Sequence, residues 1–435
     1  MKHQNRIILG VVLGNLIEAF DLAICGLLSV YLAKYLVGGG RAGLLMIFAT
    51  FFAGYLARPL GAFTLGLFSD VYGRKITLAA SIMAMGISTA SIGFIPSHEY
   101  MGHYSMILLL ILRVIQSFSC GVEYLNSSAY LVENATLTHK GLSGSWASFG
   151  STAGLLCASI VSLMVTWVIN LNPSLEPYVW RLPFILALIG SSIGLYIRMF
   201  LPESLEYILY YSEQPKPNAK KIFKSAFVYC LQHKLKTLHV FFLSGLGVTT
   251  TFLFYIYGPT QAHINGLFND NQIILSNIIA LIVLLCTLPI AGKLSDKVPQ
   301  DKLVIFSACG FVVLANLFFS TLTSGHYLYF IIAQSLMSIP SGVYYATVPV
   351  MLTNMYPLNL RCTVLSVIYA IAASLSAGIT PIISLVLMQK THSSSSPALI
   401  IAGLVGMTLI TLFSKRLLQK EEHHTTTFNV TSLPN

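Results

Sequence analysis

Twelve stretches of this chain are long and apolar enough to cross a lipid bilayer: 7–35, 43–68, 76–96, 105–131, 142–169, 180–201, 237–262, 272–292, 303–322, 326–352, 362–388 and 398–414. A membrane-spanning helix needs about 20 predominantly apolar residues. The alternative, a membrane barrel, needs short segments of alternating polarity, whereas these runs are continuously apolar. Gly and Pro recur inside them, as membrane helices tolerate. The expected fold class is all-α integral membrane, with twelve transmembrane helices in two six-helix bundles. Only 9% of residues are charged, against about 25% in a soluble domain, so lipid is the natural solvent for most of the surface.

The longest polar interruption divides the runs six and six. It sets the expected organisation: an amino-terminal bundle over 1–201, a central loop over 202–236, a carboxyl-terminal bundle over 237–414 and a tail over 415–435. Placing the amino terminus in the cytoplasm puts nineteen Lys and Arg residues on the inner side and four on the outer, with Arg58 and Arg113 inside helices. That bias orients the chain with both termini cytoplasmic. It also accounts for the net charge of +10 without nucleic acid as a partner. The seven cysteines are scattered singly, a spacing that suggests neither a metal site nor a disulfide framework. No cofactor is expected.

A small polar word occurs twice. Residues 66–75 read GLFSDVYGRK and residues 292–302 read GKLSDKVPQDK, with Asp70 and Asp296 226 residues apart. Lys140 and Arg361, each opening a Gly/Ser-rich helix, are 221 apart. A duplicated six-helix unit explains both offsets, an arrangement that secondary transporters share. Asp70, Gly73, Arg74, Lys75 and Asp296 are therefore candidates for a cytoplasmic gating loop in which ion pairs latch neighbouring helices. A charge cluster that merely fixes topology would read the same way.

The first copy resembles the loop signature of the major facilitator superfamily. The stretches GNLIEAFDLAICG (14–26), ARPLGAFTLGLFSDVYGRK (57–75), RVIQSFSCGVEYLNSSAYLVENA (113–135), WRLPFILALIGSSIGLYIRMFLPES (180–204) and MYPLNLRCTVLSVIYAIAASLSAGITP (355–381) are similar to its metabolite:proton symporter branch, which includes proline/betaine, citrate, α-ketoglutarate and shikimate transporters. The resemblance implies the major facilitator fold and a proton symporter, monomeric, in a bacterial inner membrane. Its cargo would be a small polar metabolite bearing a carboxylate: an amino acid, a betaine or an organic acid. An exchanger or a non-transporting sensor on the same scaffold stays open. An intramembrane enzyme is disfavoured, because no His or nucleophile has a partner in the sequence. The second loop copy departs from the signature, having Pro299, Gln300 and Asp301 in place of Gly-Arg, and the tail lacks a long coiled-coil extension.

Ionisable side chains within the apolar runs carry the mechanistic expectation, since each is costly unless paired or facing a cavity. Glu18 and Asp21 are three residues apart on the first helix. Helical rise puts Asp21 and Arg113 at similar depth, roughly 20 Å above the cytoplasmic end, so they are expected to pair; Asp21, Arg113, Glu18 and Glu123 are the proton-coupling candidates. Arg58 and Glu123 share a lower level, where they pair with each other or Arg58 holds a substrate carboxylate. The second half is nearly devoid of charge: between Ser244 and Ala291 only Asp270 is charged. There Tyr255, Tyr257, Gln334, Tyr344, Tyr345 and Tyr369, with Arg58 from the first half, are the substrate-binding candidates. The four tyrosines 255, 257, 344 and 345 suit a cage for a quaternary ammonium, or plain packing.

Overall fold

The computed structural model describes residues 2–213 and 218–431, with the side chains of residues 2, 3, 41, 264, 270, 382, 385 and 415–431 outside that description. Every regular element among the described residues is helical. The first six spans are α1 (Lys2–Leu27), continued by α2 (Ser29–Leu36); α3 (Gly40–Tyr72); α4 (Arg74–Gly93); the collinear pair α6 (His103–Cys120) and α7 (Glu123–Glu133), preceded by the short α5 (His98–Met101); α8 (Lys140–Leu171); and α10 (Leu182–Met199), preceded by the short α9 (Glu176–Val179). The second six are α13 (Lys234–Phe252), running through a π turn at Leu253–Tyr257 into α14 (Gly258–Ile264); α15 (Asp270–Ser295); α16 (Gln300–Ser324); α17 (Tyr327–Met355); α18 (Arg361–Thr391); and α19 (Ala398–Thr431). Ten of these stretches meet length and composition criteria for crossing a bilayer, and α17 and α19 supply the other two.

Close backbone approach, set by glycine, fixes the first bundle. A Cβ on Gly61 of α3 would stand 1.9 Å from the Phe118 carbonyl of α6, and one on Gly121 would stand 2.5 Å from the Arg58 carbonyl. Gly150 and Gly154 of α8 bear in the same way on the Val12 and Leu16 carbonyls of α1, at 2.6 and 2.2 Å. Small residues four apart are the usual means by which membrane helices pack backbone to backbone. The result is that Arg58, Cys120 and Glu18 are drawn to one level.

Two segments differ from expectation. Residues 202–236, read as a loop, contain α11 (Leu205–Glu213) and α12 (Ala219–Gln232). Their apolar residues recur at helical spacing, burying Tyr207, Ile222 and Ala226 against the bundles. The polar tail begins as a continuation of α19, because no Gly or Pro interrupts the chain between Gly406 and Pro434.

Candidate functional site

Between the bundles, α3 presents Arg58. Its Nη2 donates to the Cys120 sulfur at 3.2 Å, and its guanidinium lies 5.1 Å from the Tyr55 ring centroid. The Cys120 thiol in turn donates to Glu18 Oε1 at 2.8 Å. A thiol therefore separates the acid from the base, and among the described residues Arg58 has no carboxylate partner within 4 Å. Arg58 Nε and Glu18 Oε2, both buried, have no hydrogen-bond partner. Beside them Tyr124 of α7 stands 5.5 Å, ring to ring, from Tyr369 of α18. The Ser148 hydroxyl donates to the Tyr345 carbonyl across the bundle interface at 2.7 Å, so the Tyr124 hydroxyl, 3.0 Å away, donates to Ser148. Tyr345 itself donates to the Gly247 carbonyl at 2.5 Å. Guanidinium, carboxyl, thiol and aromatic faces from both bundles thus meet at one level.

The expected Asp21–Arg113 pair is not formed. Arg113 Nη1 bonds the Gln116 side-chain oxygen one turn along its own helix, and its guanidinium stacks on Phe51 at 4.4 Å. Gln116 Nε2 bridges to the Thr89 hydroxyl at 2.7 Å and to the Asp21 backbone carbonyl at 3.1 Å. Asp21 is fully buried with no ion-pair partner among the described residues; the one hydroxyl set beside its carboxyl, that of Thr89, donates to the Met85 carbonyl at 2.9 Å. Helix rise says nothing of azimuth, and the Gln116 amide bonds both Arg113 and the Asp21 backbone. Arg58 and Glu123 are not paired either. Glu123 ion-pairs with Arg198, which the charge count had assigned to the cytoplasmic side, and accepts from Ser81. Arg198 is buried against Gly14 and donates to the Leu78 carbonyl at 2.5 Å.

In the second bundle most candidates are absorbed by packing. Tyr255 bonds Ser338 at 2.8 Å, Tyr257 donates to the Met388 sulfur at 2.7 Å, and Tyr344 donates to the Leu243 carbonyl while packing on Phe311. Gln334 donates to the Phe254 carbonyl at 3.1 Å and to Asn277 at 2.7 Å. These four side chains are buried in the carboxyl-terminal core and do not close a cage; Tyr345 and Tyr369 stay at the bundle interface.

At the end of the molecule that bears the loop motifs, each aspartate caps a helix of the opposite bundle. Asp70 accepts from the backbone N–H of Cys362 at 3.2 Å, the N–H of Thr363 at 2.8 Å and the Thr363 hydroxyl at 2.7 Å, all at the start of α18. Asp296 accepts from Gly141 at 2.5 Å and Leu142 at 3.1 Å, at the start of α8. A carboxylate at a helix N-terminus satisfies orphan donors and the positive end of the dipole together. Around Asp70 the cluster grows: Arg74 pairs with Asp70 at 3.3 Å and Glu133 at 3.2 Å, and Arg361 pairs with Glu133 at 2.8 Å and Glu206 at 3.1 Å. Glu206 also holds Lys140 at 3.0 Å, and Glu203 accepts from the backbone N–H groups of Arg74 and Lys75. Gly73, at φ +112°, makes the turn that lets this happen. Tyr207 lies under the Arg74 guanidinium at 5.0 Å; burial pushes its phenol up to about 12, so it stays a donor to the Val71 carbonyl at 2.7 Å.

This geometry, two six-helix bundles latched at one end around a mixed-charge centre, defines a class of alternating-access carrier, and comparison with known proteins agrees. Residues 11–228 match the family described as "Sugar (and other) transporter", and residues 243–431 match "Major Facilitator Superfamily". The chain belongs to the major facilitator superfamily: it is a multi-pass membrane protein and a secondary transporter rather than an enzyme. It is 31% identical over 430 residues to the glycine betaine/proline/ectoine/pipecolic acid transporter OusA of Dickeya dadantii (strain 3937), covering 95% of this chain and 84% of that one. To the proline/betaine transporter of Escherichia coli (strain K12) it is 30% identical, with coverage of 91% and 80%. Among solved structures, the proton:xylose symporter XylE bound to 6-bromo-6-deoxy-D-glucose superposes with a TM-score of 0.75 at 16% identity, covering 95% of this chain and 96% of that one. The human organic anion transporter MFSD10 (TETRAN) gives 0.65 at 15%, covering 94% and 97%.

Proposed function

We propose that this transporter is a proton symporter for a small zwitterion of the proline or betaine type, bound between the bundles with its carboxylate on Arg58. The observation that carries the reading is the company Arg58 keeps. A guanidinium at a bundle interface whose hydrogen-bond partner is a neutral thiol, with Nε free, retains its affinity for an incoming carboxylate. Glu18 and the rings of Tyr55, Tyr124 and Tyr369 offer the cationic end a carboxyl group and π faces. The relatives named for betaine and proline support that class over di- and tricarboxylates, which would need a second cation.

Asp21 is the proton carrier in this reading. An ionised carboxylate buried without a cationic partner would cost several kcal/mol, so in this mechanism Asp21 takes a proton when it is unpaired and releases it when Arg113 leaves Gln116 for it. The latch end faces the cytoplasm by the positive-inside rule, in a bacterial inner membrane. The bundles then correspond to residues 1–201 and 237–414.

The test is uptake into proteoliposomes. With an inward proton gradient, glycine betaine or L-proline should accumulate above its outside concentration, and an uncoupler should collapse the accumulation. Citrate or 2-oxoglutarate accumulating instead would overturn the substrate class. Gradient-independent equilibration would overturn the symport.

A further inference from the structure

Helix α12 has a face that neither bundle covers. Ile222 and Ala226 are buried, and α12 packs against α3, α13 and α18. Alongside that contact Phe223, Phe227 and Leu231, spaced four residues apart, are 50%, 60% and 51% exposed. The stripe is continuous with the lipid-facing side of α3. Phe223 meets Phe63 edge to face at 5.3 Å, and Leu60 and Leu56, the next exposed positions up α3, are 64% and 58% exposed. Phe63 lies seven residues from Asp70, about 10 Å of helix rise, so this contact is level with the apolar part of α3 and not beyond it. On the 3.6-residue repeat Lys220 and Lys224 follow the outer edge of the stripe and Lys221 lies just past it; all three are exposed. No acidic residue occurs from 214 to 269 to neutralise them.

We infer that α12 is a membrane-surface helix: Phe223, Phe227 and Leu231 bed at the acyl boundary of the leaflet on the latch side, and Lys220, Lys221 and Lys224 hold anionic lipid headgroups. An apolar stripe bordered by lysines is how an amphipathic helix lies in a bilayer interface, and each lysine near an anionic surface contributes roughly fivefold in affinity. The lysines argue for phospholipid over a second copy of the chain, since the like-charged faces of two α12 helices would repel. Because α12 packs on α3 and α18, the two helices joined through Asp70, lipid held there bears directly on the latch.

Hydrogen exchange of the full chain in nanodiscs tests this without substrate or gradient, so its outcome is separate from that of the transport assay. In discs containing one-third phosphatidylglycerol, amides of 219–232 should exchange at least about fivefold more slowly than in pure phosphatidylcholine, with the difference lost in high salt. The triple variant K220Q/K221Q/K224Q should exchange alike in both, while amides in α18 report that the fold is intact. Equal exchange of the wild-type helix in the two lipids would overturn the inference. So would a triple variant that still follows lipid charge, or protection that depends on two chains sharing a disc, which would mark the face as an interface between copies.

Discussion

The two bundles repeat one backbone plan with opposite interiors. The amino-terminal half buries Glu18, Asp21, Arg113, Glu123 and Arg198 within its spans, whereas the described residues of the other half bury Arg361, at the latch, and the imidazole of His239. A buried charge changes its energy by several kcal/mol when a partner leaves or water enters; a buried tyrosine or amide changes by about 1 kcal/mol. In the proposed mechanism the first half is therefore the one whose free energy depends on state, and the second is a shaped wall. The latches show the same asymmetry. Asp70 sits in a network with Arg74, Glu133 and Arg361, while Asp296 holds two backbone N–H groups. The sequence cause is local: Gly73-Arg74 follows Asp70, but Pro299-Gln300 stands at the matching place after Asp296.

The sharpest way to break this contrast is to remove one group from each side of the central site. Arg58→Ala should weaken equilibrium binding of glycine betaine about 30-fold or more, the usual loss for a desolvated charge-assisted pair. Tyr345→Phe, whose hydroxyl is already engaged by the Gly247 carbonyl, should change it less than about threefold, within the range of one neutral hydrogen bond. Calorimetric titration of both variants reads the ratio. Comparable losses would mean that the carboxyl-terminal wall binds substrate as strongly as the guanidinium does.

A smaller difference is expected between the latches. Asp70→Asn removes the charge and one of the two oxygens that accept three hydrogen bonds, and leaves Glu133 as the carboxylate paired with Arg74; Asp296→Asn does the same to a set of two. Charge-assisted bonds of this kind contribute about 1.5–3 kcal/mol each, and the asparagine retains part of that. Asp70→Asn should shift the open–closed ratio of the latch by about tenfold, and Asp296→Asn by about threefold. Spin-label distances across α3 and α18 would measure both, while substrate affinity stays within about twofold. An equal shift would remove the distinction drawn from Arg74, Glu133 and Arg361.

Most of the fold was legible, because a bilayer admits so few solutions: apolar run length set the helix count, and the twofold recurrence of Ser-Asp set the repeat. The partners of buried charges were not. Helix rise gives a position along the helix, but the rotation that turns Arg113 onto Gln116 depends on how α6 packs against α3 and α4. Arg198 was counted with the basic residues of the cytoplasmic side; the fit of its guanidinium against Gly14 shows that it points inward. Cys120, Tyr124 and Gln116 lay inside a stretch singled out for its family resemblance, yet a thiol, a phenol and an amide carry no signal of function without neighbours. The tyrosines of the second half gave the opposite difficulty. Tyr344 and Tyr345 are adjacent, and only the structure separates a core side chain bonded to Leu243 from one at the interface.

The finest test compares two glutamines that the internal repeat places on corresponding spans, Gln116 on α6 and Gln334 on α17, 218 residues apart. Both are fully buried. Gln116 holds a guanidinium that Asp21 would otherwise take; Gln334 bonds a backbone carbonyl and Asn277, both uncharged. In Gln116→Leu the carboxylate of Asp21 becomes the natural acceptor for Arg113, which favours the ionised form. Loading the proton then requires more acid, so the midpoint of proton-driven uptake should move to lower pH. One hydrogen bond of about 1 kcal/mol corresponds to roughly 0.7 of a pH unit. Gln334→Leu should lower the melting temperature by a few degrees and leave the midpoint where it is. Superimposable pH profiles for Gln116→Leu and the wild type would show that the amide merely fills space, and the state-dependent half of the molecule would then begin at Glu18 rather than at Asp21.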